Sequence, residues 1–342
     1  MRVRIARDSK CKVELHLHAA KVILTILYVM QILFCSSPLD AHKPDSVYEL
    51  EVAAVERLDI SLSLIDFEAL VYENDGSKAV RNVRKTESGE EIAVYRGWML
   101  SPEKYQLLYD ALRNRGISLI NDPASYKHCH YLPEWFPLLA DQTPDSIWID
   151  KDILGTVPGE DAVPAHALDL IMEKLRVFQS QPVILKDFVK SEKHHWADAC
   201  FIPSALDRDH VGKVVSRFLE LRGWELEGGL VFRKFINFKA LTTHSKSGMP
   251  LTKEFRFFVL DGTIIHCLNY WEEGDYGDLQ PPVEFFAAAA KKPRSRFFTM
   301  DLGQTEEHDW SIIELGDAQV AGLPHNAPVD SFYKSLWERL KS

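Results

Sequence analysis

The chain has 342 residues, of which 46% are hydrophobic, so it is long enough to bury more than one hydrophobic core. Its formal net charge is -10 and it contains no long run of basic residues, which argues against nonspecific binding to nucleic acid. Its five cysteines are scattered without paired spacing, and the sequence therefore indicates neither a disulfide framework nor a zinc site.

The N-terminus combines a basic start with an apolar stretch, residues 22–35, and this pattern mimics a signal peptide. Lys21 and Gln31 leave fewer than the roughly 20 consecutive apolar residues that a membrane span requires. A second interpretation, which we favour, places the first strand and turn of an α/β domain at residues 31–40. Residues 1–29 are then an extension that takes no part in the fold.

Strands and helices alternate in residues 30–150. The sequence predicts strands at 31–36, 61–66, 91–96 and 117–120, and helices at 44–58 and 102–114. Ser101 and Pro102 are typical of a helix N-terminus, and Gly116 is typical of a stop. This alternation predicts a small parallel, Rossmann-like sheet, and we place the domain boundary near Asp150. No Gly-x-Gly-x-x-Gly motif follows the first strand, so we assign this domain no dinucleotide.

Cys129 lies between His128 and His130, and metal binding or nucleophilic chemistry is one interpretation of this segment. Because no second pair of ligands lies at a usable spacing, we favour an ordinary loop.

Two apolar runs carry basic residues where a buried strand would have none. Residues 182–190 are predicted as a strand that places Lys186 and Lys190 on one face. A solvated strand edge protected by lysine is the alternative. Residues 228–236 form the second run, which is broken by the adjacent Arg233 and Lys234.

Residues 253–271 are predicted as a hairpin, because Asp261 and Gly262 form a two-residue turn between apolar runs. With that turn, Arg256 shares a face with four apolar residues: Phe258, Leu260, Ile265 and Cys267. Asn269 lies close enough to contact a bound group. An arginine on such a face needs an anionic partner.

A second hairpin carries acids in apolar strands, with Asp301 in residues 297–303 and Glu314 in residues 310–317. If the loop between the strands has four residues, Asp301 lies opposite Glu314; if it has five, the two acids point to opposite faces. Exposed strand ends are the alternative. Two carboxylates together among apolar neighbours need Mg²⁺ or basic side chains as partners. Basic strands followed by such a hairpin are what a protein needs to hold a polyphosphate with Mg²⁺.

Three segments carry a resemblance to the ATP-grasp superfamily: Pro-Val-Ile-Leu-Lys-Asp at 182–187, Glu-Phe-Arg-Phe-Phe-Val at 254–259 and Ile-Ile-Glu-Leu-Gly-Asp at 312–317. The resemblance covers residues 182–324. It is closest to a little-characterised clade with Lys-Ser-x-Lys-His-x-Trp after the first lysine strand, here residues 190–196. It implies an α/β (α+β) chain in which a Rossmann-like domain, residues 30–150, precedes an ATP-grasp nucleotide-binding domain, residues 151–342.

The resemblance also implies roles for individual residues. ATP contacts are expected from Lys186, Lys190, Lys193, Arg233, Lys234 and Asn269, and from the backbone of Phe235 and Ile236 at the adenine hinge. Mg²⁺ ligands are expected at Asp301, Glu314 and Asp317. The expected catalytic residues are Arg256 and Lys186.

Three positions depart from many members of the superfamily. The basic, aromatic segment 190–196 stands where many members have a glycine-rich flap. Asn237 and Lys239 follow the hinge, where many have an acid that binds ribose, and Asp317 stands where many have asparagine.

Two functions from different classes follow from the resemblance. The first is an ADP-forming ligase that activates a carboxylate of a small molecule or peptide as an acyl-phosphate for attack by an amine or similar nucleophile. The second is an ATP-binding assembly or regulatory factor that turns over slowly or not at all. We expect ATP and Mg²⁺ as cofactors, a cytoplasmic location, and no nucleic acid or membrane partner. Arg96 and Trp98, at a strand end, either line the substrate pocket or form a surface patch.

Overall fold

The computed structural model describes residues 30–86, 91–155, 163–245 and 250–341, so the predicted extension at residues 1–29 lies outside the described residues. The first domain contains a five-stranded sheet made of β1 (Met30–Ser37), β2 (Asp40–Pro44), β3 (Ser61–Ile65), β4 (Glu91–Arg96) and β5 (Ile117–Leu119). Strands β3, β1, β4 and β5 are parallel in that spatial order, and β2 folds back antiparallel on the end of β1. The predicted parallel sheet is confirmed.

The helices of this half are α1 (Glu49–Arg57), α2 (Phe67–Val71), α3 (Gly76–Ala79), α4 (Pro102–Arg113), α5 (Pro123–His130) and α6 (Leu132–Leu139). Ser101 caps α4 by accepting a hydrogen bond from the amide of Lys104, in agreement with the predicted helix start. Helix α1 begins later than predicted, because β2 precedes it and Asp45 caps a short 3₁₀ turn, Ser46–Tyr48.

The second half contains two four-stranded antiparallel sheets. The first consists of β6 (Ser146–Asp150), β7 (Val183–Asp187), β8 (Phe201–Ile202) and β9 (Gly229–Lys234), in the spatial order β6-β9-β7-β8. A short hairpin of β10 (Ala240–Thr243) and β11 (Pro250–Thr252) follows. The second sheet consists of β12 (Glu254–Leu260), β13 (Thr263–Asn269), β14 (Phe297–Gln304) and β15 (Trp310–Asp317), in the order β13-β12-β14-β15. Because β6 pairs with β9, residues 146–150 belong to the sheet of the second half.

The helices of the second half are α7 (Lys151–Leu154), α8 (Ala165–Leu175), α9 (Arg208–Arg222), α10 (Val283–Phe286) and α11 (Val329–Lys341). Shorter helical turns are Arg176–Phe178, Lys193–His195, Trp196–Cys200, Gly223–Glu225 and Ala289–Lys291. Within the described ranges, none of the helices is both long enough and apolar enough to cross a bilayer.

Hydrophobic cores lie on both faces of the β12–β15 sheet. One core joins this sheet to the parallel sheet and to α11, and it includes Phe258 and Phe332. Another covers the opposite face and includes Trp135 and Phe257. A further core lies between the β6–β9 sheet and helices α8 and α9. Because alternate residues of β12 enter different cores, the strand that carries Arg256 is held from both faces.

Arg96, at the end of β4, is buried. Its guanidinium makes a bidentate ion pair with Glu51 and donates to three backbone carbonyl oxygens just after β15. Trp98 is partly exposed and donates its indole N–H to Asp45. Neither side chain lines the cavity between the two antiparallel sheets or the two cavities beside it, so the suggested substrate-pocket role is not supported. Arg96 instead ties the first domain to the second.

Candidate active site

A cavity of about 450 Å³ lies between the two antiparallel sheets. Strands β7, β9, β12, β14 and β15 contribute its walls, together with the segments that follow β7 and β15. It is lined by most of the residues that the sequence singles out: Lys186, Lys190, Lys193, Arg233, Arg256, Asp301, Glu314 and Asp317. The two sheets therefore bring predicted cations and acids from distant parts of the chain to one place.

The two acids of the predicted hairpin face each other across β14 and β15. The loop has five residues, 305–309, and this register alone would place Asp301 opposite Ile313. A β-bulge at Ile313 adds one residue to β15 and brings Asp301 opposite Glu314. Each predicted alternative is therefore half right, because the loop has five residues and the acids are nevertheless paired.

Arg256 and Asp301 form a bidentate ion pair on the cavity wall, where the register of β12 and β14 places them opposite each other. Nε and Nη2 of Arg256 donate to the two carboxylate oxygens at 2.8 and 2.7 Å. The ring of Tyr270 lies 4.7 Å from the guanidinium carbon, within the range of a cation–π contact. These contacts fix the plane of the guanidinium, and its Nη1 donates to no other described residue.

Lys186 and Glu314 form the second ion pair, in which Lys186 Nζ lies 2.6 Å from Glu314 Oε1. Lys186 is buried in β7, whereas the side chain of Glu314 is 34% exposed. Burial alone would raise the pKa of Glu314. The positive charges of Lys186 and Lys193, and to a smaller extent that of Arg233, lower this pKa below its ordinary value. Glu314 is therefore ionised at neutral pH and can bind a cation.

Lys190 reaches the cavity from the turn after β7. The strand ends at Asp187, whose carboxylate accepts hydrogen bonds from the amides of Val189 and Lys190 and so turns the chain. The prediction that Lys186 and Lys190 share a strand face is wrong for this reason. Both nevertheless line the same cavity.

Lys193 lies near the acids without an ion pair to any described residue. Desolvation by the surrounding protein would lower the pKa of Lys193, although its side chain keeps some contact with solvent. The hydroxyl of Tyr270 and the carboxylates of Glu254, Glu314 and Asp301 outweigh that effect and raise the pKa. Lys193 is thus a charged amine that is free to take an anionic ligand.

Arg233 lines the cavity, but the terminal nitrogens of its guanidinium donate to the protein. Its guanidinium is buried and donates to the carbonyl oxygens of Ile312 and Ile313 and to the hydroxyl of Thr143. These carbonyls belong to the bulge that brings the two acids together. Burial lowers the pKa of Arg233 to about 10, with Glu314 acting in the opposite direction. Nη1 and Nη2 of Arg233 therefore contact the bulge, whereas its buried Nε has no hydrogen-bond partner among the described residues.

Asp317 is fully buried, and hydrogen bonds occupy both oxygens of its carboxylate. Asn121 Nδ2 donates to Oδ2 at 2.6 Å, and the amide and side chain of Gln319 donate to Oδ1 at 2.9 and 3.1 Å. Burial raises the pKa of Asp317 to about 7, and the hydrogen bonds act against that rise. The structure therefore does not support Asp317 as a Mg²⁺ ligand, because its oxygens serve to join β15 to the first domain.

Asn269 lies outside the main cavity. A second bulge, at Ile265, shifts β13 by one residue, so that Arg256 pairs with Leu268 and not with Cys267. Asn269 moves off the register of Arg256 and lines a separate recess of about 220 Å³ beside the cavity. The structure therefore does not support the predicted contact from Asn269 to ATP. The prediction assumed a regular hairpin, and the length of the turn alone did not show this bulge.

The predicted adenine hinge follows β9. Lys234 alternates with Arg233 on that strand, so its side chain is exposed on the outer side and does not enter the cavity. The Phe235 amide donates to the Pro182 carbonyl at 3.0 Å. No described residue hydrogen-bonds the Phe235 carbonyl or either backbone group of Ile236. These groups remain available to a ligand, although they lie beside the charged cavity and do not line it.

Two residues at the site were not predicted. Tyr270 contacts Arg256, and a one-residue shift of the hairpin register would have pointed to it in place of Asn269. His130 lines the cavity because its segment is helix α5 and not the loop that we favoured. Cys129 beside it is buried, and burial raises the pKa of its thiol, which argues against a nucleophilic role.

The acids of the cavity fit a Mg²⁺ ion that takes its other ligands from a nucleotide. Such ions are typically bound through one or two carboxylates together with phosphate oxygens and water. Asp301 and Glu314 supply two neighbouring carboxylates. In the described ranges, no three His, Cys, Asp or Glu side chains converge as a metal cage, so phosphates would have to complete the coordination.

Comparison with known proteins agrees with this geometry. Residues 176–336 match the family model described as "ATP-grasp domain, R2K clade family 3". No curated protein matches the sequence.

Solved ATP-grasp ligases share the fold along nearly the whole chain. The ligase PsnB, complexed with a minimal precursor, is 13% identical with a TM-score of 0.53, and the match covers 92% of this chain and 99% of PsnB. D-cycloserine synthetase DcsG is 15% identical with a TM-score of 0.52 over 91% of this chain and 99% of its own. D-alanyl-alanine synthetase A from Vibrio cholerae is 8% identical with a TM-score of 0.50 over 92% and 99%. The resemblance to the ATP-grasp superfamily and the predicted fold are confirmed.

Proposed function

We propose that this protein, which has the ATP-grasp fold, is an ATP-dependent ligase that holds the phosphates of ATP between its two antiparallel sheets. Two ion pairs support the proposal, Arg256 with Asp301 and Lys186 with Glu314. The pairing of Asp301 with Glu314 joins them into one group of alternating charges. Such a group has the cations that phosphate oxygens need and the carboxylates that a phosphate-bound metal needs.

Each charge in this group can exchange one partner for another when Mg-ATP binds. Lys186 and Arg256 would turn from carboxylates to phosphate oxygens, and Lys193 would supply a cation that has no ion pair in the described structure. Mg²⁺ held by Asp301 and Glu314 would neutralise charge on the phosphates. The exchange keeps every buried charge paired, which avoids the large cost of isolating one.

Substrates of this ligase are a carboxylate and an amine of small molecules or peptides. A carboxylate oxygen attacks the γ-phosphorus while the bond to ADP breaks. The amine then attacks the acyl carbon, and phosphate leaves with the bonding electron pair and takes up the proton that the amine releases. Lys186 and Arg256 stabilise the negative charge of the phosphoryl group from fixed positions. PsnB, of the same fold, has been solved with a precursor peptide and AMPPNP, which supports the peptide class. We expect this ATP-dependent reaction in the cytoplasm.

The proposal is tested by measuring ADP release from Mg-ATP in the presence of mixed amino acids, small carboxylates and peptides. Glu314→Gln keeps the shape of the side chain and removes its charge, so ADP release should fall by about 10²- to 10³-fold. Glu307→Gln, in the exposed 305–309 loop, is the matched control and should release ADP like the parent. Equal, substrate-stimulated release from the parent and Glu314→Gln would contradict the proposed site. Mg-ATP binding without release for any substrate would favour the assembly factor.

ATP binding is tested separately by thermal stabilisation. Saturating Mg-ATP at 100 times its Kd should stabilise the parent by about 2.7 kcal/mol. Lys186→Ala should lose most of that effect, because one charge-assisted contact to phosphate is removed. Lys234→Ala removes an exposed lysine from the neighbouring strand and should keep it. The same melting shift in both variants would show that Lys186 does not contact ATP.

A further inference from the structure

A second cavity, of about 560 Å³, adjoins the first. It lies between helices α2, α4 and α5 of the first domain and the segment that follows α9. The two cavities share Met99, His130, Val189, Lys190 and Arg222, so they meet along a common boundary. A group bound in the second cavity would therefore face the phosphate site across these residues.

His130 stands at this boundary with one ring nitrogen unpaired. Its side chain is only 6% exposed. Nδ1 lies 3.0 Å from the carbonyl oxygen of Tyr126 and carries the proton, because a carbonyl oxygen can only accept. Nε2 is then an acceptor, and it has no hydrogen-bond partner among the described residues. Burial lowers the pKa of His130 to about 4, which keeps the ring neutral at neutral pH.

The other walls of the second cavity combine apolar side chains with charges of both signs, since Lys104, Lys190 and Arg222 line it together with two acids. Phe67 and Val71 line it from the first domain, and Trp224 lines it from the second. Trp224 is 87% exposed, which is unusual for a tryptophan with no partner to cover it. Glu225 and Glu227 follow it and also line the cavity. The cavity thus offers an aromatic surface and one buried acceptor.

We propose that the second cavity binds the amine substrate of the ligase, and that this substrate carries an aromatic or other large apolar side chain. The amine donates an N–H to Nε2 of His130, and the side chain packs against Trp224. A carboxylate does not fit the same position, because its oxygens would face another acceptor without a proton between them. This assignment rests on the proposed function, since it places the amine next to the group that ATP activates.

Three small amides test the assignment by calorimetric titration of the whole protein loaded with Mg²⁺ and the non-hydrolysable analogue AMPPNP. L-phenylalaninamide has both the amine and the ring, 3-phenylpropanamide lacks the amine, and glycinamide lacks the ring. We expect L-phenylalaninamide to bind about tenfold more tightly than either of the others. A tenfold difference in affinity is what the loss of one hydrogen bond or one ring contact typically causes.

Variants assign the two preferences to residues. His130→Phe should abolish the preference for the amine, whereas His130→Gln should retain part of it, because its amide oxygen can accept. Trp224→Ala should abolish the preference for the ring over glycinamide. Leu39→Ala removes another exposed apolar side chain, 97% exposed and outside the cavity, and should change neither preference.

Equal affinities of the parent for L-phenylalaninamide and 3-phenylpropanamide would overturn the assignment, as would an unchanged amine preference in both His130 variants. Failure of all three amides to bind while AMPPNP binds would also overturn it. Failure of AMPPNP itself to bind would instead overturn the proposed function, and this inference with it. A calorimetric titration with AMPPNP alone, carried out first, separates the two results.

Discussion

Arg96 and Arg256 each make a bidentate ion pair with a carboxylate, and they differ in exposure and in how many of their donors are used. Arg96 binds Glu51 at 2.9 and 3.0 Å and also donates to the carbonyl oxygens of Ala318, Gln319 and Ala321 at 2.7 to 3.2 Å. Its side chain is 1% exposed. Every strong acceptor around it belongs to the protein, so it has no room for a ligand.

Arg256 has the same type of ion pair, with Asp301, but its side chain is 19% exposed. Apart from the carboxylate, its close contact is the ring of Tyr270. It therefore keeps a free edge in a cavity. The comparison shows that saturation of the donors, and not burial alone, separates an arginine that holds the fold from one that can bind a ligand.

Loss of the saturated arginine should have the largest effect on stability. Arg96→Met leaves the buried carboxylate of Glu51 without its cation, and the free energy of unfolding should fall by about 3–5 kcal/mol. Arg57→Met breaks an exposed ion pair with Asp330, at 2.5 Å, and should cost at most about 1 kcal/mol. Urea unfolding measures both variants. An Arg96 variant as stable as the Arg57 variant would contradict the comparison.

Loss of the open arginine should instead affect catalysis. Arg256→Lys keeps a positive charge beside Asp301 but loses the planar fork, so ADP release should fall by about 10²-fold while the free energy of unfolding changes by about 1 kcal/mol or less. Steady-state kinetics and urea unfolding of the same preparation give the two numbers. Full activity of the lysine variant would show that the guanidinium makes no fork with phosphate.

The charged residues of the cavity could be found from the sequence, because Lys186, Arg256, Asp301 and Glu314 interrupt apolar strands. Their roles were harder to predict. Arg233 interrupts an apolar strand in the same way, and only the carbonyl oxygens around it show that its Nη1 and Nη2 already have partners. Those contacts come from a distant strand, so no local pattern of residues contains them.

The parallel sheet of the first domain was predicted because strand and helix periodicities alternate locally. The pairing of β6 with β9 could not be predicted, because β9 is far away in the sequence. The bulge at Ile313 could not be predicted either, since neither glycine nor proline marks it. It depends on packing against Arg233, a tertiary contact.

Arg233 gives an intermediate case for the comparison, since Nη1 and Nη2 donate to the protein while its buried Nε has no partner among the described residues. Arg233→Met should loosen the bulge, and ADP release at limiting Mg²⁺ should fall by about tenfold, or about 1.4 kcal/mol. High Mg²⁺ should restore part of the rate, because the acids remain. Lys234→Met, at the exposed neighbouring position, is the control. If Arg233→Met and the parent release ADP at the same rate at every Mg²⁺ concentration, the bulge keeps its shape without Arg233.

Asp317 is the acidic counterpart of Arg96, and its substitution should have the smallest effect on ADP release. Its pKa is raised from 3.8 to about 7, so the folded protein keeps a proton that the unfolded chain has already released in this range. The contribution of Asp317 to the free energy of unfolding therefore falls as pH rises from about 4 to about 7, by at most about 1.4 kcal/mol per unit, and is flat above.

Asp317→Asn should remove that slope. Urea unfolding at several pH values measures the free energy of unfolding of the variant and of the parent. As pH rises from about 4 to about 7, the difference between them should change in favour of the variant, and above that range it should stay constant. ADP release should change little, because Asp317 is not expected to bind the metal. A pH-independent difference would show that Asp317 is ionised in the folded protein throughout the range.

The bulge at Ile313 separates the length of the 305–309 loop from the spacing of the acids. Asp301 pairs with Glu314 on the far side of the bulge from the loop. There, β12 pairs with β14, and Arg233 contacts the carbonyl oxygen of Ile312 at the bulge. The loop closes the other end of the hairpin. An affinity tag or a fluorescent label inserted after Glu307, which is exposed, would lengthen only that closing end. The loop is therefore a place where this protein can be modified for imaging or capture while its charged site keeps its register.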